Sequence, residues 1–126
     1  MQTIYILDHD IDIAYGLCAW FKLNGFEAKH FSTLEQLLVQ LQTRQPDCLI
    51  LDCLFGRIAL ISDICNNIKQ VFNYNGSILL TSTSNISAKD LFKCNATAFI
   101  PKPFDFGKIL QLVNQVSQNS LIESIG

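Results

Sequence analysis

Residues 4–10, Ile4-Tyr5-Ile6-Leu7-Asp8-His9-Asp10, place three ionisable side chains directly after four apolar ones. A short apolar run without polar alternation is typical of a parallel strand that is covered on both faces of its sheet. A weaker extended segment at residues 26–30 is predicted to be a strand nearer the sheet edge. Apolar runs of the first kind predict three further buried strands, at Cys48–Leu51, Ser77–Leu80 and Ala98–Ile100.

Segments of helical period alternate with these strands. In the first, one helix face carries Ile13, Leu17, Trp20 and Phe21, and Asn24-Gly25 is predicted to end the helix. The second helix is predicted from Leu34, Leu37, Leu38 and Leu41, and Ser32 and Glu35 at its start have the spacing of a capping box. The order β-α repeated five times predicts an α/β domain with helices on both faces of a parallel sheet. The other helices are predicted at 61–72, ending near Asn75-Gly76, at Ser87–Cys94 and at 106–116.

Composition narrows the class of protein. The 126 residues are enough for one domain. No apolar run approaches the roughly 20 residues that span a bilayer, and the start lacks the features of a signal peptide, so we predict a soluble, cytoplasmic protein. A net charge of −2 with 16% charged residues predicts neither nucleic-acid nor membrane binding. Five cysteines without a C-x-x-C pair are predicted to be buried thiols rather than zinc ligands.

Polar side chains follow the predicted strands where each one ends: Asp8-His9-Asp10, Asp52, Thr81-Ser82 and Lys102. The carboxyl ends of parallel strands meet at one edge of the sheet, where such folds bind ligands. Clustered carboxylates suit a hard divalent cation such as Mg²⁺, and a hydroxyl with an ammonium suits phosphoryl oxygens. A carboxylate among them has the setting of a nucleophile toward phosphorus, which would give an aspartyl phosphate.

The chain resembles the receiver domain of bacterial two-component response regulators from Thr3 to Val116. The resemblance implies a doubly wound (βα)5, flavodoxin-like three-layer sandwich whose parallel five-stranded sheet has the order 2-1-3-4-5. It implies a receiver domain at residues 1–118 and a C-terminal tail or linker remnant at 119–126. Four motifs carry the resemblance: Ile6-Leu7-Asp8-His9-Asp10, Leu49-Ile50-Leu51-Asp52, Leu79-Leu80-Thr81-Ser82 and Ala98-Phe99-Ile100-Pro101-Lys102-Pro103-Phe104.

The resemblance assigns a role to each matching residue. Asp52 resembles the acceptor of a phosphoryl group from a histidine kinase or phosphotransfer protein. Thr81 resembles the switch hydroxyl that bonds the phosphoryl oxygens, Phe99 the aromatic residue that rotates inward behind it, and Lys102 the lysine that pairs with the phosphate. Output would pass to a downstream effector protein or to a second copy of the chain. No enzymatic activity is implied beyond autocatalytic phosphorylation and dephosphorylation of Asp52.

The metal site that the resemblance implies is altered. Asp8, Asp52 and the backbone carbonyl of Leu54 match ligands of Mg²⁺, but His9 stands where the family has a second acidic ligand. Imidazole is a poor ligand for Mg²⁺ and a better one for transition metals. Asp10 is a possible substitute, and His9 is either an inert replacement, a new metal ligand or a proton-sensitive group.

The loop after Asp52 also departs from the family pattern. Gly56 stands where the family often has proline, Leu60 where it often has glycine, and Arg57 adds an unusual charge. These changes leave open an atypical pseudo-receiver that binds proteins without being phosphorylated. The triplet Asp8-His9-Asp10 also keeps open a small phosphatase of the D-x-D type, with Asp8 as the nucleophile.

Overall fold

Five β-α units follow one another in the computed structural model, which describes residues 2–53 and 58–125, and the side chains of 2–53 and 60–116. The predicted alternation of strands and helices is confirmed. The strands are β1 (Thr3–Leu7), β2 (Glu27–Phe31), β3 (Cys48–Asp52), β4 (Ser77–Ser82) and β5 (Ala98–Pro101). The helices are α1 (Ile11–Leu23), α2 (Leu34–Thr43), α3 (Ile58–Val71), α4 (Ala88–Lys93) and α5 (Phe106–Ile125).

The five strands form one parallel sheet in the order β2-β1-β3-β4-β5. This is the predicted order, with β2 at an edge. The edge position explains why the β2 sequence is the most polar of the five, because Lys29 and His30 on it are exposed whereas β1 is buried throughout. Strands buried on both faces must be apolar on both, which is why β1, β3 and β4 lack alternation.

Alternate strand residues supply two cores, one on each face of the sheet. On one face, Ile4, Ile6 and Ile50 pack with residues of α1 and α5. On the other, Tyr5 and Leu49 pack with residues of α2, α3 and α4. The sheet is therefore held rigidly between two helical layers, and its carboxyl edge is left to carry polar groups.

Two helix ends differ from the sequence prediction. The N-cap of α2 is Thr33, whose hydroxyl accepts a hydrogen bond from the N–H of Gln36, so the prediction of Ser32 as the cap is wrong by one residue. The N–H of Ser32 instead donates to the side-chain oxygen of Gln36. Helix α3 ends at Val71, before the predicted stop at Asn75-Gly76. Ser32 and Thr33 both have side chains that can cap a helix, and only the backbone conformation at the start of α2 shows which of them does so.

The predicted end of α1 and the predicted start of α4 agree with the structure, whereas α3 begins at Ile58, three residues before its predicted start. Helix α1 ends at Leu23, and Gly25 follows with a φ of 88°, the left-handed conformation that glycine adopts easily. Helix α4 begins after its cap Ser87. Helix α5 continues to Ile125, so its predicted end at residue 116 is too early, and the domain boundary proposed between 118 and 119 remains a prediction. Within the described residues, no helix combines the length and apolar character needed to cross a bilayer.

Candidate functional site

Four strands bring the predicted polar residues to one edge of the sheet. Asp8 follows β1, Asp52 ends β3, Thr81 lies near the end of β4, and Lys102 follows β5. Strands β1 and β3 are neighbours, and Asp52 pairs in register with Thr81 on β4. Side chains at paired positions leave the sheet on the same face. The topology therefore brings together residues from four separate parts of the sequence.

Asp8 is a buried carboxylate that is held in a fixed orientation. Its exposed fraction is 3%, and its Oδ1 accepts a hydrogen bond of 2.8 Å from the N–H of Asp10. Burial raises the pKa of Asp8 above its ordinary value, and the negative charge of Asp52 adds to the rise, whereas hydrogen bonds from Lys102 and Asp10 oppose it. The site thus holds two carboxylates whose mutual repulsion needs a cation.

Lys102 supplies that positive charge. Its Nζ lies 2.9 Å from Oδ2 of Asp8 and 3.2 Å from Oδ2 of Asp52, and its side chain is 6% exposed. Burial alone would lower the pKa of Lys102, but the hydrogen bond to Asp8 and the charge of Asp52 outweigh it, and the pKa is raised. The backbone N–H of Lys102 donates to the carbonyl of Ser82, which fixes the start of the loop on β4.

His9 reaches into the same cluster from the solvent side. Its Nδ1 is hydrogen-bonded to Oδ2 of Asp52 and lies 3.5 Å from Oδ1 of Asp8, while its side chain is 49% exposed. One ligand atom from each of these three residues lies within 4.8 Å of the other two. The three side chains of Asp8, His9 and Asp52, called the metal-ligating cluster below, therefore offer ligand atoms that could hold a metal ion.

Thr81 carries a buried hydroxyl with an unmet hydrogen-bonding capacity. The residue is fully buried, and among the described residues its Oγ1 finds no hydrogen-bond partner. The adjacent hydroxyl of Ser82 is already engaged, since its Oγ accepts a hydrogen bond of 3.0 Å from the N–H of Ser84. Of these two candidate hydroxyls, that of Thr81 keeps its full hydrogen-bonding capacity among the described residues, whereas that of Ser82 already accepts one hydrogen bond.

The other predicted site residues lie elsewhere or outside the described chain. The carboxylate of Asp10 caps α1 by accepting from the N–H groups of Asp12 and Ile13, and Asp10 is not part of the metal-ligating cluster. Phe99 is half-buried on β5 and packs against the core on the α3 and α4 side.

The predicted residues of the loop after Asp52 are described only in part. Leu60 is 49% exposed on α3. Residues 54–57, which include Leu54, Gly56 and Arg57, lie outside the described residues.

The donor set fits Mg²⁺ only in part. The buried carboxylates of Asp8 and Asp52 are the hard oxygen ligands that this ion prefers. The nitrogen of His9, which contacts one of them, is not. The fully buried hydroxyl of Thr81, which has no partner among the residues that the structure describes, fits an oxygen-rich ligand beside Asp52.

An apolar groove beside Lys102 was not foreseen from the sequence. It has a volume of about 320 Å³ and is lined by Lys102 together with Ile13, Thr83, Pro103, Phe104 and Phe106. The sequence feature that pointed to this groove is the pair of aromatic residues Phe104 and Phe106, which follow Lys102 within four positions.

Comparison with known proteins agrees with this geometry. The sequence model of the response regulator receiver domain matches residues 4–114. Among curated proteins, the heme response regulator HssR of Staphylococcus saprophyticus is 26% identical over 117 residues, which cover 92% of this chain and 51% of that protein. The chain thus spans about half the length of this relative.

Solved structures show the same fold. NtrX from Brucella abortus, in complex with ADP, superposes with a TM-score of 0.82 at 21% identity, covering 98% of this chain and 28% of that one. A response regulator from Thermotoga maritima gives a TM-score of 0.79 at 15% identity, covering 92% and 97%. The chemotaxis protein CheY4 of Vibrio cholerae gives 0.76 at 18% identity, covering 92% and 98%.

Proposed function

The chain belongs to the response regulator receiver domain family, and from this we propose that it accepts a phosphoryl group on Asp52 and thereby changes how it binds a partner protein. Members of this family are signalling modules of two-component systems rather than enzymes acting on separate substrates. The phosphoryl group would come from a histidine kinase or a phosphotransfer protein. The five buried thiols suit a reducing compartment, and we place this exchange in the cytoplasm.

The observation that carries the proposal is the setting of Asp52. This carboxylate is 1% exposed, and the ammonium of Lys102 lies 3.2 Å from it. Thr81 is in register with Asp52 on the next strand, and its hydroxyl has no partner within the described part of the chain. Leaving a hydroxyl buried without a partner is costly, and a phosphoryl oxygen arriving on Asp52 would satisfy it.

The transfer is a displacement at phosphorus. A carboxylate oxygen of Asp52 forms a bond to the phosphorus atom while the bond from phosphorus to the donor's imidazole nitrogen breaks. The donor nitrogen takes up a proton from solvent, and the product is a mixed anhydride between the carboxyl and phosphoryl groups. Lys102 balances the negative charge that the phosphoryl oxygens bring into the site.

A divalent cation supplies further neutralisation of phosphoryl charge when it is bound in sites of this kind. The residues offered for it are Asp8, Asp52 and the carbonyl of Leu54. Asp8 has the fixed orientation that a ligand needs, because the N–H of Asp10 holds one of its oxygens.

Partner switching would begin at Thr81. If its hydroxyl bonds a phosphoryl oxygen, the end of β4 is drawn toward Asp52, and Phe99 on β5 lies beside Leu80 in the register of these two strands. A change in the position of Phe99 would alter the surface around β5 and α4, because Phe99 packs on that side of the sheet. The partner would be a downstream effector protein or a second copy of the chain.

The test is chemical phosphorylation of the purified chain with acetyl phosphate and Mg²⁺, followed by intact-mass spectrometry. We expect the mass to rise by one phosphoryl group, and borohydride trapping should locate it on Asp52. Asp52→Asn should abolish the gain, whereas Asp63→Asn, which alters an exposed aspartate on α3, should leave it unchanged. No gain in mass over a wide range of donor and cation concentrations would refute the proposal.

One observation favours a second candidate, a pseudo-receiver that binds proteins without phosphorylation. The imidazole of His9 is hydrogen-bonded to the same oxygen of Asp52 that Lys102 contacts, so it competes with an incoming donor for that carboxylate. If the wild-type chain stays unmodified while His9→Asp gains one phosphoryl group, this second function is the correct one.

A further inference from the structure

The metal-ligating cluster contains a nitrogen ligand where an oxygen ligand is expected. We propose that this site selects a late first-row divalent ion, such as Co²⁺, Ni²⁺ or Zn²⁺, over Mg²⁺, with Nδ1 of His9 as a ligand beside the carboxylates of Asp8 and Asp52. This inference deepens the proposed function, because it specifies the cation at the same site.

The separations within the cluster suit ligands of a single ion. Nδ1 of His9 is 3.5 Å from Oδ1 of Asp8, and the three ligand atoms lie within 4.8 Å of one another. With bonds of about 2.0–2.2 Å, neighbouring ligand atoms around one transition-metal ion lie roughly 3–3.5 Å apart. The contact between His9 and Asp52 is closer than this, so the imidazole would move outward slightly as an ion enters.

The exposure of His9 permits that movement. Its side chain is 49% exposed, whereas those of Asp8 and Asp52 are 3% and 0% exposed. The two carboxylates therefore form the buried side of the site, and the imidazole lies on its solvent side, where it has room to move. An ion can enter from solvent without disturbing the sheet.

Hydrogen bonding is a separate observation that favours a ligand at this site. The fully buried hydroxyl of Thr81, in register with Asp52, lacks a partner among the described residues. A hydrated cation beside Asp52 would supply a water molecule as that partner.

The selectivity follows from ligand chemistry. Mg²⁺ prefers oxygen ligands and holds its water tightly, so an imidazole adds little to its binding. Co²⁺, Ni²⁺ and Zn²⁺ bind imidazole well, and the affinity of mixed nitrogen and oxygen sites for first-row divalent ions rises from Mn²⁺ to Cu²⁺ before it falls at Zn²⁺. The group of potential ligands found among the described residues contains no cysteine, and all five thiols are buried, away from the solvent side from which an ion would enter.

The experiment compares Zn²⁺ and Mg²⁺ binding to the whole chain, stripped of metal and kept reduced, by isothermal titration calorimetry at one fixed pH. Since Zn²⁺ binds most sites more tightly than Mg²⁺, the informative quantity is the ratio of the two dissociation constants in each variant. His9→Asp replaces the nitrogen ligand with an oxygen one. His30→Asn is the matched control, because it removes the chain's other imidazole, which is exposed on β2.

We expect His9→Asp to lower the preference for Zn²⁺ by at least about tenfold, and His30→Asn to leave it unchanged. His9→Ala should weaken Zn²⁺ binding by a similar factor while leaving Mg²⁺ binding unaltered, which guards against a folding defect in the first variant. Nitrogen-15 NMR of the imidazoles should show Zn²⁺ shifting Nδ1 of His9 and not the nitrogens of His30.

Three results would overturn the inference: an equal Zn²⁺ preference in wild type and His9→Asp, an equal loss in His30→Asn, or no binding of either ion to the wild-type chain. Its failure is distinguishable from failure of the proposed function. A wild-type chain that gains a phosphoryl group with Mg²⁺ but shows no effect of His9 on selectivity keeps the function and loses this inference.

Discussion

Replacing Thr81 with valine should stabilise the unphosphorylated chain. The hydroxyl of Thr81 is fully buried and has no partner among the described residues, and an unpaired buried hydroxyl costs about 1–3 kcal/mol. Valine has the same β-branched shape, so strand propensity and rotamer freedom change little, and its methyl group adds apolar burial. We expect the free energy of unfolding to rise by about 1–2 kcal/mol.

Urea unfolding followed by circular dichroism measures this change. With a slope of about 1.5 kcal/mol/M, the midpoint should move up by roughly 1 M while the slope stays constant. Thr97→Val is the matched control, because the Oγ1 of Thr97 accepts a hydrogen bond of 3.3 Å from the N–H of Ile78 on the same sheet. That variant should lose about 1 kcal/mol.

The two threonines therefore predict shifts of opposite sign. A midpoint for Thr81→Val that falls, or that moves with Thr97→Val, would show that the Thr81 hydroxyl is satisfied in the free chain and would refute the reasoning. The same substitution should slow phosphorylation of Asp52 by acetyl phosphate, because the hydroxyl offered to the phosphoryl oxygens is gone. Gain in stability with loss of function is the pattern expected of a binding group.

Three further predictions concern charge, packing and pH. Lys102→Met removes the ammonium that contacts Asp8 and Asp52, so the free energy of unfolding at pH 7 should fall by about 2–4 kcal/mol. The loss should be smaller at pH 5, because protons then neutralise the carboxylates, and an equal loss at both pH values would contradict this. Gly76→Ala would place a Cβ against the hydroxyl oxygen of Tyr74 and 2.7 Å from the backbone carbonyl oxygen of Asp47. We expect the free energy of unfolding in urea to fall by about 2–3 kcal/mol, and a variant of unchanged stability would disprove the close approach. The thiol of Cys48 ionises near pH 9 in the unfolded chain, whereas burial raises its pKa to about 12 in the folded chain. The folded state therefore binds the proton more tightly, so the free energy of unfolding falls as the pH rises from 9 to 12. Cys48→Ala should make this fall shallower, and an unchanged slope would count against the burial effect.

Much of the architecture was determined by the sequence itself. Apolar runs without alternation specify strands buried on both faces, and stripes of helical period between them specify the covering layers. The polar residues of β2 place it at an edge. These signals are local, since each depends on which residues are neighbours in the chain, and that is why the order of elements could be predicted. The position of the α2 cap could not, because Ser32 and Thr33 both fit the pattern until the backbone conformation chooses one.

The site depended on the tertiary structure to a greater degree. The sequence placed Asp8, Asp52, Thr81 and Lys102 at strand ends, and their meeting follows from parallel topology. Whether His9 points into the cluster or into solvent was not decided locally, because a residue after a strand can turn either way. The fold brings its Nδ1 to Asp52, 43 positions away, and gives the Thr81 hydroxyl no partner among residues 2–53 and 60–116, whose side chains are described. Contacts between side chains so distant in sequence depend on how the strands align across the sheet and how each loop bends, and these are properties of the packed molecule.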